Sequence, residues 1–98
     1  MKKILLACNA GMSTSLLVTR MEKAAQQLGV ECEILAVPVT EAPKIANNWD
    51  IVLLGPQVRF MLSSMQKATS TPVIAIDTRA YGLMDGETVL KAALEKLS

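Results

Sequence analysis

Apolar residues gather in four short runs along the chain: Ile4 to Ala7, Val30 to Val37, Ile51 to Leu54 and Val73 to Ile76. Each has the length of a strand. Three are apolar without alternation, the pattern of parallel strands covered by helices on both faces. The second begins by setting Val30, Cys32, Ile34 and Ala36 against Glu31, Glu33, Leu35 and Val37, which predicts an edge strand wet on one side.

Helical periodicity fills the intervals. From Ser13 to Leu28, the residues Leu17, Met21, Ala24 and Leu28 share one face, Arg20, Lys23 and Gln27 fall on others, and Gly29 stops the helix. A short second helix starts from Thr40 as cap, tolerates Pro43 in its first turn and turns Ile45, Ala46 and Trp49 inward. A third runs from Val58 to Lys67 with Met61, Leu62 and Met65 as its buried stripe, and a fourth, capped by Asp85, carries Val89, Leu90, Ala93, Leu94 and Leu97. The order βαβαβαβα, without repeats, predicts an α/β fold. Right-handed crossovers make it an open four-stranded parallel sheet, order 2-1-3-4, with helices on both faces. Ligands of such sheets bind beyond the carboxyl ends of the strands, beside strand 1. The loops that reach that edge are Cys8 to Met12, Val37 to Thr40, Gly55 to Gln57 and Asp77 to Asp85.

The chain of 98 residues is read as a single domain over 1–98 with no linker or second lobe. Hydrophobic residues at 51% and charged residues at 19% supply a core and exclude a disordered chain. Ten basic against nine acidic residues give a net charge of +1, so neither a nucleic-acid stripe nor a polybasic membrane anchor is expected. Histidine is absent. That excludes Ser/His/Asp and Cys/His catalysis, imidazole bases and His-ligated metal, and two cysteines fall short of the four of an all-thiolate zinc site. No metal or organic cofactor is implied; the chemistry is left to a thiol, a carboxylate, a hydroxyl, an amine or the backbone.

Met1-Lys2-Lys3 before Ile4 to Ala7 has the charged start of an export signal, but the apolar run ends at Cys8-Asn9, too early for one. No other stretch approaches the roughly 18 apolar residues of a membrane span. The expectation is a cytoplasmic protein with reduced thiols and no direct membrane insertion. Cys8 and Cys32 fall at opposite ends of neighbouring strands. About five residues at about 3.3 Å each separate them, beyond the roughly 7 Å that a disulfide spans between Cα atoms.

The segment Leu6-Ala7-Cys8-Asn9-Ala10-Gly11-Met12-Ser13-Thr14-Ser15-Leu16-Leu17 is a strand, a thiol, a small-residue turn and a helix start in succession. Such a turn aims backbone N–H groups at a tetrahedral oxyanion, and the helix N-terminus adds partial positive charge. Gly11 permits the close approach, and Ser13, Thr14 and Ser15 can add hydroxyl donors. A thiol at a helix N-terminus also ionises more readily. Nucleophile and anion site therefore coincide at Cys8, which suggests phosphoryl transfer through a phosphocysteine. The plainer alternative, a buried cysteine and a serine or threonine that only caps a helix, fits Cys32 inside its strand better than Cys8 at the functional edge.

At these residues the chain resembles the IIB components of the bacterial phosphoenolpyruvate-dependent sugar phosphotransferase system, in the lactose/cellobiose group and nearer its cellobiose/chitobiose branch. Cys8 to Leu17 resembles the active-site loop of that family, Asp50 to Val58 its third strand and following loop, and Ile76-Asp77, Tyr81-Gly82 and Asp85-Gly86 its fourth. The resemblance implies a phosphoryl carrier. Cys8 would take the group from a phosphohistidine on a phosphorylated IIA partner and pass it to a sugar, cellobiose or chitobiose, bound by the IIC membrane permease. Asn9, Ala10, Gly11, Met12, Ser13, Thr14 and Ser15 would hold its oxygens. Low-molecular-weight tyrosine phosphatases place a cysteine loop on a similar sheet but close it with an arginine. Here the next arginine is Arg20, almost two helical turns along. The missing clamp favours a carrier, which must shield its phosphocysteine from water. A cysteine phosphatase of that kind and a non-catalytic anion- or nucleotide-binding regulator stay as alternatives.

Two further residues belong near the site. Tyr81 either bonds a phosphoryl or sugar oxygen through its hydroxyl or packs its ring beneath the loop, and Gln57 either orients the neighbouring loop or serves an ordinary turn. Asp77 is read as a cap or loop-positioning carboxylate with no part in catalysis. Met12 and Val37-Pro38-Val39 are candidates for an apolar docking patch. Met21, Met61 and Met65 are read as core. Arg59 and Arg79 either attract a phosphorylated donor or solvate the surface.

Overall fold

The structure is a computed structural model that describes residues 1–9 and 12–97, without the side chains of Met12 and Ser13. Strands β1 (Lys2–Cys8), β2 (Cys32–Pro38), β3 (Ile51–Leu54) and β4 (Val73–Ala75) form one parallel sheet in the order β2-β1-β3-β4. This is the expected topology. It follows from the two central strands, whose pleat sends apolar side chains both ways. Ile4 and Leu6 of β1 join Ile51 and Leu53 of β3 in one cluster, while Leu5, Ala7, Val52 and Leu54 join the other. None of the eight is more than 1% exposed. Neither strand can face water, so each sheet face must carry a helical layer.

On the first face lie α1 (Met12–Leu28), α4 (Thr78–Gly82) and α5 (Gly86–Leu97), contributing Leu17, Met21, Ala24, Ala25, Ala80, Tyr81, Val89, Leu90 and Ala93. The second face is covered by α2 (Ala42–Ile45), α3 (Leu62–Ala68) and two 3₁₀ turns, Ala46–Asn48 and Pro56–Met61, through Ala42, Ala46, Val58 and Met65. Helices α1 and α5 touch where Gly86 has no side chain. A Cβ there would stand 2.5 Å from the Arg20 carbonyl carbon and 2.6 Å from the Met21 nitrogen. Strand β2 is an edge, as its alternation predicts, with Ile34 buried and Glu33 and Leu35 exposed.

Four expectations need correction. Leu28 is exposed, because α1 outruns the sheet in its last turn and Ala25 completes the buried stripe. Thr40 caps nothing: α2 starts behind Glu41, which makes no capping bond, and Pro43 in its first turn fixes the helical φ without one. Within that region Ala46 is fully buried, while Ile45 and Trp49 are half-buried, the Trp49 ring lying under the Lys3 ammonium at 5.0 Å. The third helix is broken. Val58 leaves helical geometry at φ −119° and ψ 18°, so a 3₁₀ turn carries Gln57 and Phe60, and α3 begins only at Leu62. Finally, the stretch read as a loop before Asp85 contains α4, capped by Asp77 through a 2.9 Å bond from the Ala80 N–H. The cap at Asp85 is present too, with its carboxylate accepting from the Thr88 N–H at 3.1 Å and the Thr88 hydroxyl at 2.7 Å.

Candidate active site at the carboxyl end of strand 1

Cys8 is the last residue of β1 and follows Ile4 and Leu6 onto the α1 face. Its carbonyl accepts the Val39 N–H at 2.9 Å, which ties the end of β1 to the turn after β2. On the other side the Gly55 N–H donates to the Ala7 carbonyl at 2.9 Å. Gly55 is required by proximity: a Cβ there would lie 3.0 Å from Cys8 Cβ and 3.0 Å from Gln57 Oε1. The bare backbone therefore leaves room for both Cys8 and the Gln57 amide.

The sulfur meets a hydroxyl. Thr14, third residue of α1, places Oγ1 2.9 Å from Cys8 Sγ, and the same oxygen lies 3.3 Å from the Tyr81 hydroxyl. Cys8 is 4% exposed, Thr14 3% and Tyr81 7%. The thiol thus sits beneath the rim rather than on it, against the Thr14 hydroxyl. The Tyr81 ring belongs to the α1-side core, and its hydroxyl points to Thr14.

The remaining cradle residues separate. Asn9 is exposed beside Cys8. Ala10, Gly11 and the side chains of Met12 and Ser13 lie outside the described residues, and with them most of the expected amide lining. Ser15 is turned to solvent, and its carbonyl accepts the Thr19 hydroxyl at 3.1 Å. Among the described side chains Thr14 is the hydroxyl placed against sulfur, and its position predicts this: Thr14, Leu17 and Met21 fall at i, i+3 and i+7, so Thr14 opens the buried stripe of α1.

An open depression lined by Pro56, Gln57, Thr78, Tyr81, Gly82 and Met84 adjoins the site. Arg20 is committed elsewhere, its Nη1 donating to the carbonyls of Met84 at 3.2 Å and Leu83 at 3.5 Å. Val39 is buried and so does not belong to an apolar docking patch; Pro38 is exposed and Val37 half-buried. Met21 and Met65 are core and Met61 is half-buried. Arg59 and Arg79 are exposed, as is Phe60 at 79%, a residue that falls off the stripe expected for its helix. Cys32 occupies the other end of the neighbouring strand, opposite Lys2, while Cys8 is opposite Pro38, and both thiols are free. Burial pushes the Cys32 thiol up, with the N-terminal ammonium and Lys2 opposing. Among the described residues no group of three acidic, cysteine or histidine side chains could hold a metal, and no helix is long and apolar enough to cross a membrane.

Comparison with known proteins places the chain in a family. Residues 3–92 match the family described as PTS system, Lactose/Cellobiose specific IIB subunit. The chain is 48% identical over 97 residues to the oligo-beta-mannoside-specific EIIB component of Bacillus subtilis, covering 96% of this chain and 94% of that one. It is 42% identical over 100 residues to the galactose-specific EIIB component of Lactococcus lactis subsp. cremoris, covering 94% and 93%. The solution structure of the cellobiose-specific IIB component from Borrelia burgdorferi superposes with a TM-score of 0.79 at 36% identity, covering 96% of this chain and 89% of that one. With the same sheet and nearly its whole length matched, the chain belongs to the lactose/cellobiose family of phosphotransferase-system IIB subunits, phosphotransferases that work with IIA and IIC components.

Proposed function

We propose that Cys8 is the residue on which this subunit carries a phosphoryl group, acting in the cytoplasm between a phosphorylated IIA protein and a sugar held by a IIC permease. The supporting observation is the placement of a thiol at the carboxyl end of β1, in contact with the first turn of α1 through Thr14. In the first step the Cys8 thiolate attacks the phosphorus of a phosphohistidine on IIA. The S–P bond forms, the N–P bond breaks, and its electron pair stays on the imidazole. In the second step a sugar hydroxyl attacks, the O–P bond forms, and the S–P pair returns to sulfur while the hydroxyl proton passes to a base of the permease. Backbone amides and hydroxyls between Asn9 and Ser15 neutralise the phosphoryl oxygens in both steps. Gln57 and Tyr81 border the space from which the acceptor enters.

The engagement of Arg20 with Leu83 and Met84 favours this carrier over a hydrolytic phosphatase, which relies on a guanidinium at the phosphate. The sugar proposed is a β-linked disaccharide, with cellobiose and chitobiose the first to assay on the resemblance to that branch of the family; the permease rather than this subunit selects it. Incubation with phosphorylated IIA is expected to add about 80 Da, one phosphoryl group, to the wild type and to Cys32→Ser but not to Cys8→Ser. Labelling that survives Cys8→Ser would overturn the assignment. Steady hydrolysis of an aryl phosphate without partners would replace the carrier by a phosphatase.

A further inference from the structure

The contact between Thr14 and sulfur supports a role more specific than one oxygen donor among several. We propose that Thr14 and Tyr81 form a directed hydroxyl pair that holds the Cys8 sulfur as thiolate, Thr14 as the catalytic residue touching the sulfur and Tyr81 as a positioning residue acting through it. The proposal rests on Cys8 being the phosphoryl carrier.

Both contacts converge on a single oxygen, with Sγ at 2.9 Å and the tyrosine hydroxyl at 3.3 Å. A hydroxyl has one proton to give. A thiolate has none, so Thr14 must donate to it, and the Thr14 oxygen is then free to accept from Tyr81. The chain acquires one direction, from Tyr81 to Thr14 to sulfur. Burial of all three residues keeps water from competing and strengthens a hydrogen bond to an anion. The Tyr81 ring is fixed in the same cluster as Leu17, Met21 and Ala80, so its hydroxyl cannot easily swing away. Charged side chains on the packed elements are otherwise engaged or exposed: Arg20 of α1 bonds backbone carbonyls, Asp77 caps Ala80, and Arg79 of α4 faces solvent.

Formation of the S–P bond removes the sulfur charge and frees the Thr14 O–H, which keeps its proton, to turn its hydrogen bond to a phosphoryl oxygen. When the O–P bond to the sugar forms and the S–P pair returns to sulfur, the same proton turns back to the leaving anion. The pair therefore assists departure of sulfur in the second transfer.

The test uses the full chain carrying Cys32→Ser, so that one thiol reports, and follows thiolate ultraviolet absorbance against pH in a double-mutant cycle. Thr14→Val is expected to raise the titration midpoint by about one pH unit, a tenfold loss of ionisation for one lost hydrogen bond to an anion. Thr14→Ser should restore it. Tyr81→Phe should raise the midpoint by a smaller amount alone and by nothing further in the Thr14→Val background. An equal Tyr81→Phe effect in both backgrounds, or an unmoved midpoint in Thr14→Val, would overturn the pair. Circular dichroism checks folding, and Thr14→Ala replaces Thr14→Val in the cycle if that variant does not fold. Labelling by phosphorylated IIA is read separately: a parent chain that titrates as described but takes no phosphoryl group removes the carrier role, whereas a labelled chain with an unmoved midpoint removes only the pair.

Discussion

Cys8 and Cys32 lie on adjacent parallel strands, one at the carboxyl rim of the sheet and one at the amino rim, and their surroundings differ in kind. Around Cys8 the chain gathers a helix start, two buried hydroxyls and a glycine that clears space for Gln57. Cys32 sits half-buried beside Lys2, and the depression at its rim is lined by Met1, Glu22, Ala25, Gln26, Gly29, Val30 and Glu31. In a parallel βα unit each helix starts just beyond the carboxyl end of the strand before it, so N–H groups and their positive field collect at that rim alone. The same side chain meets that field at one end and remains a small apolar filler at the other.

Exchanging the two thiols for hydroxyls breaks the comparison most directly. Cys8→Ser should remove phosphoryl transfer altogether, because serine at neutral pH has no neighbouring base to ionise it, while Cys32→Ser should leave the transfer rate at the wild-type value. The measurement is the rate of mass gain from phosphorylated IIA, and slow Cys32→Ser labelling would make the two rims less distinct than their surroundings imply.

Gly55→Ala is the next largest effect. The added methyl meets Cys8 Cβ and Gln57 Oε1, both at 3.0 Å. The Gln57 amide is the end of a flexible side chain and can turn out; Cys8 Cβ is fixed by the strand. Overpacking of this kind costs about 1–3 kcal/mol, and the shift falls on the nucleophile. Transfer should therefore slow by about tenfold or more, since small displacements of reacting atoms are costly. Gly82→Ala gives the control, because a Cβ there meets nothing within 4 Å. A Gly55→Ala chain that transfers at the parent rate would show that Cys8 has slack.

The fold was readable wherever burial was complete. Strand β3 and the Ile4 to Cys8 part of β1 are uninterrupted apolar runs, and α1 is long enough for its period to show, so the parallel sheet followed from handedness and its order from the most economical connections. Two local features were not readable: the five residues of α4 contain too few turns for a period, and the break at Val58 is a backbone event that leaves no trace in apolar spacing. In the site, the succession of strand, thiol, turn and hydroxyls marked Cys8 from local sequence. The Thr14 to Tyr81 contact joins residues 67 apart, and the approach of Gly55 to Cys8 depends on the end of β3, so both are products of tertiary structure. The inward position of Thr14 was legible in the stripe it begins, although three neighbouring hydroxyls obscured it.

Titration separates the molecule's regions more gently, at opposite ends of the pH scale. The bonds from Thr88 hold the Asp85 carboxyl below the ordinary carboxylate value of 3.8, so its stabilisation of the α5 start is present above that value and is lost as pH falls through the lower folded one. Thermal melts should show the Tm deficit of Asp85→Ala shrinking toward acid pH, and a deficit independent of pH would assign the effect to something other than the capping charge. Cys32 works in the reverse sense. Burial raises its thiol above 9.0, so the folded state prefers the neutral form, and that preference stabilises the fold below the unfolded value and is lost as pH rises through the folded one. Because Cys32 is only half-buried and the N-terminal ammonium and Lys2 partly offset the burial, the slope is small. Cys32→Ala should melt with a shallower alkaline decline than the wild type. An equal decline in both chains would mean that this thiol is solvated enough to ionise without disturbing the fold.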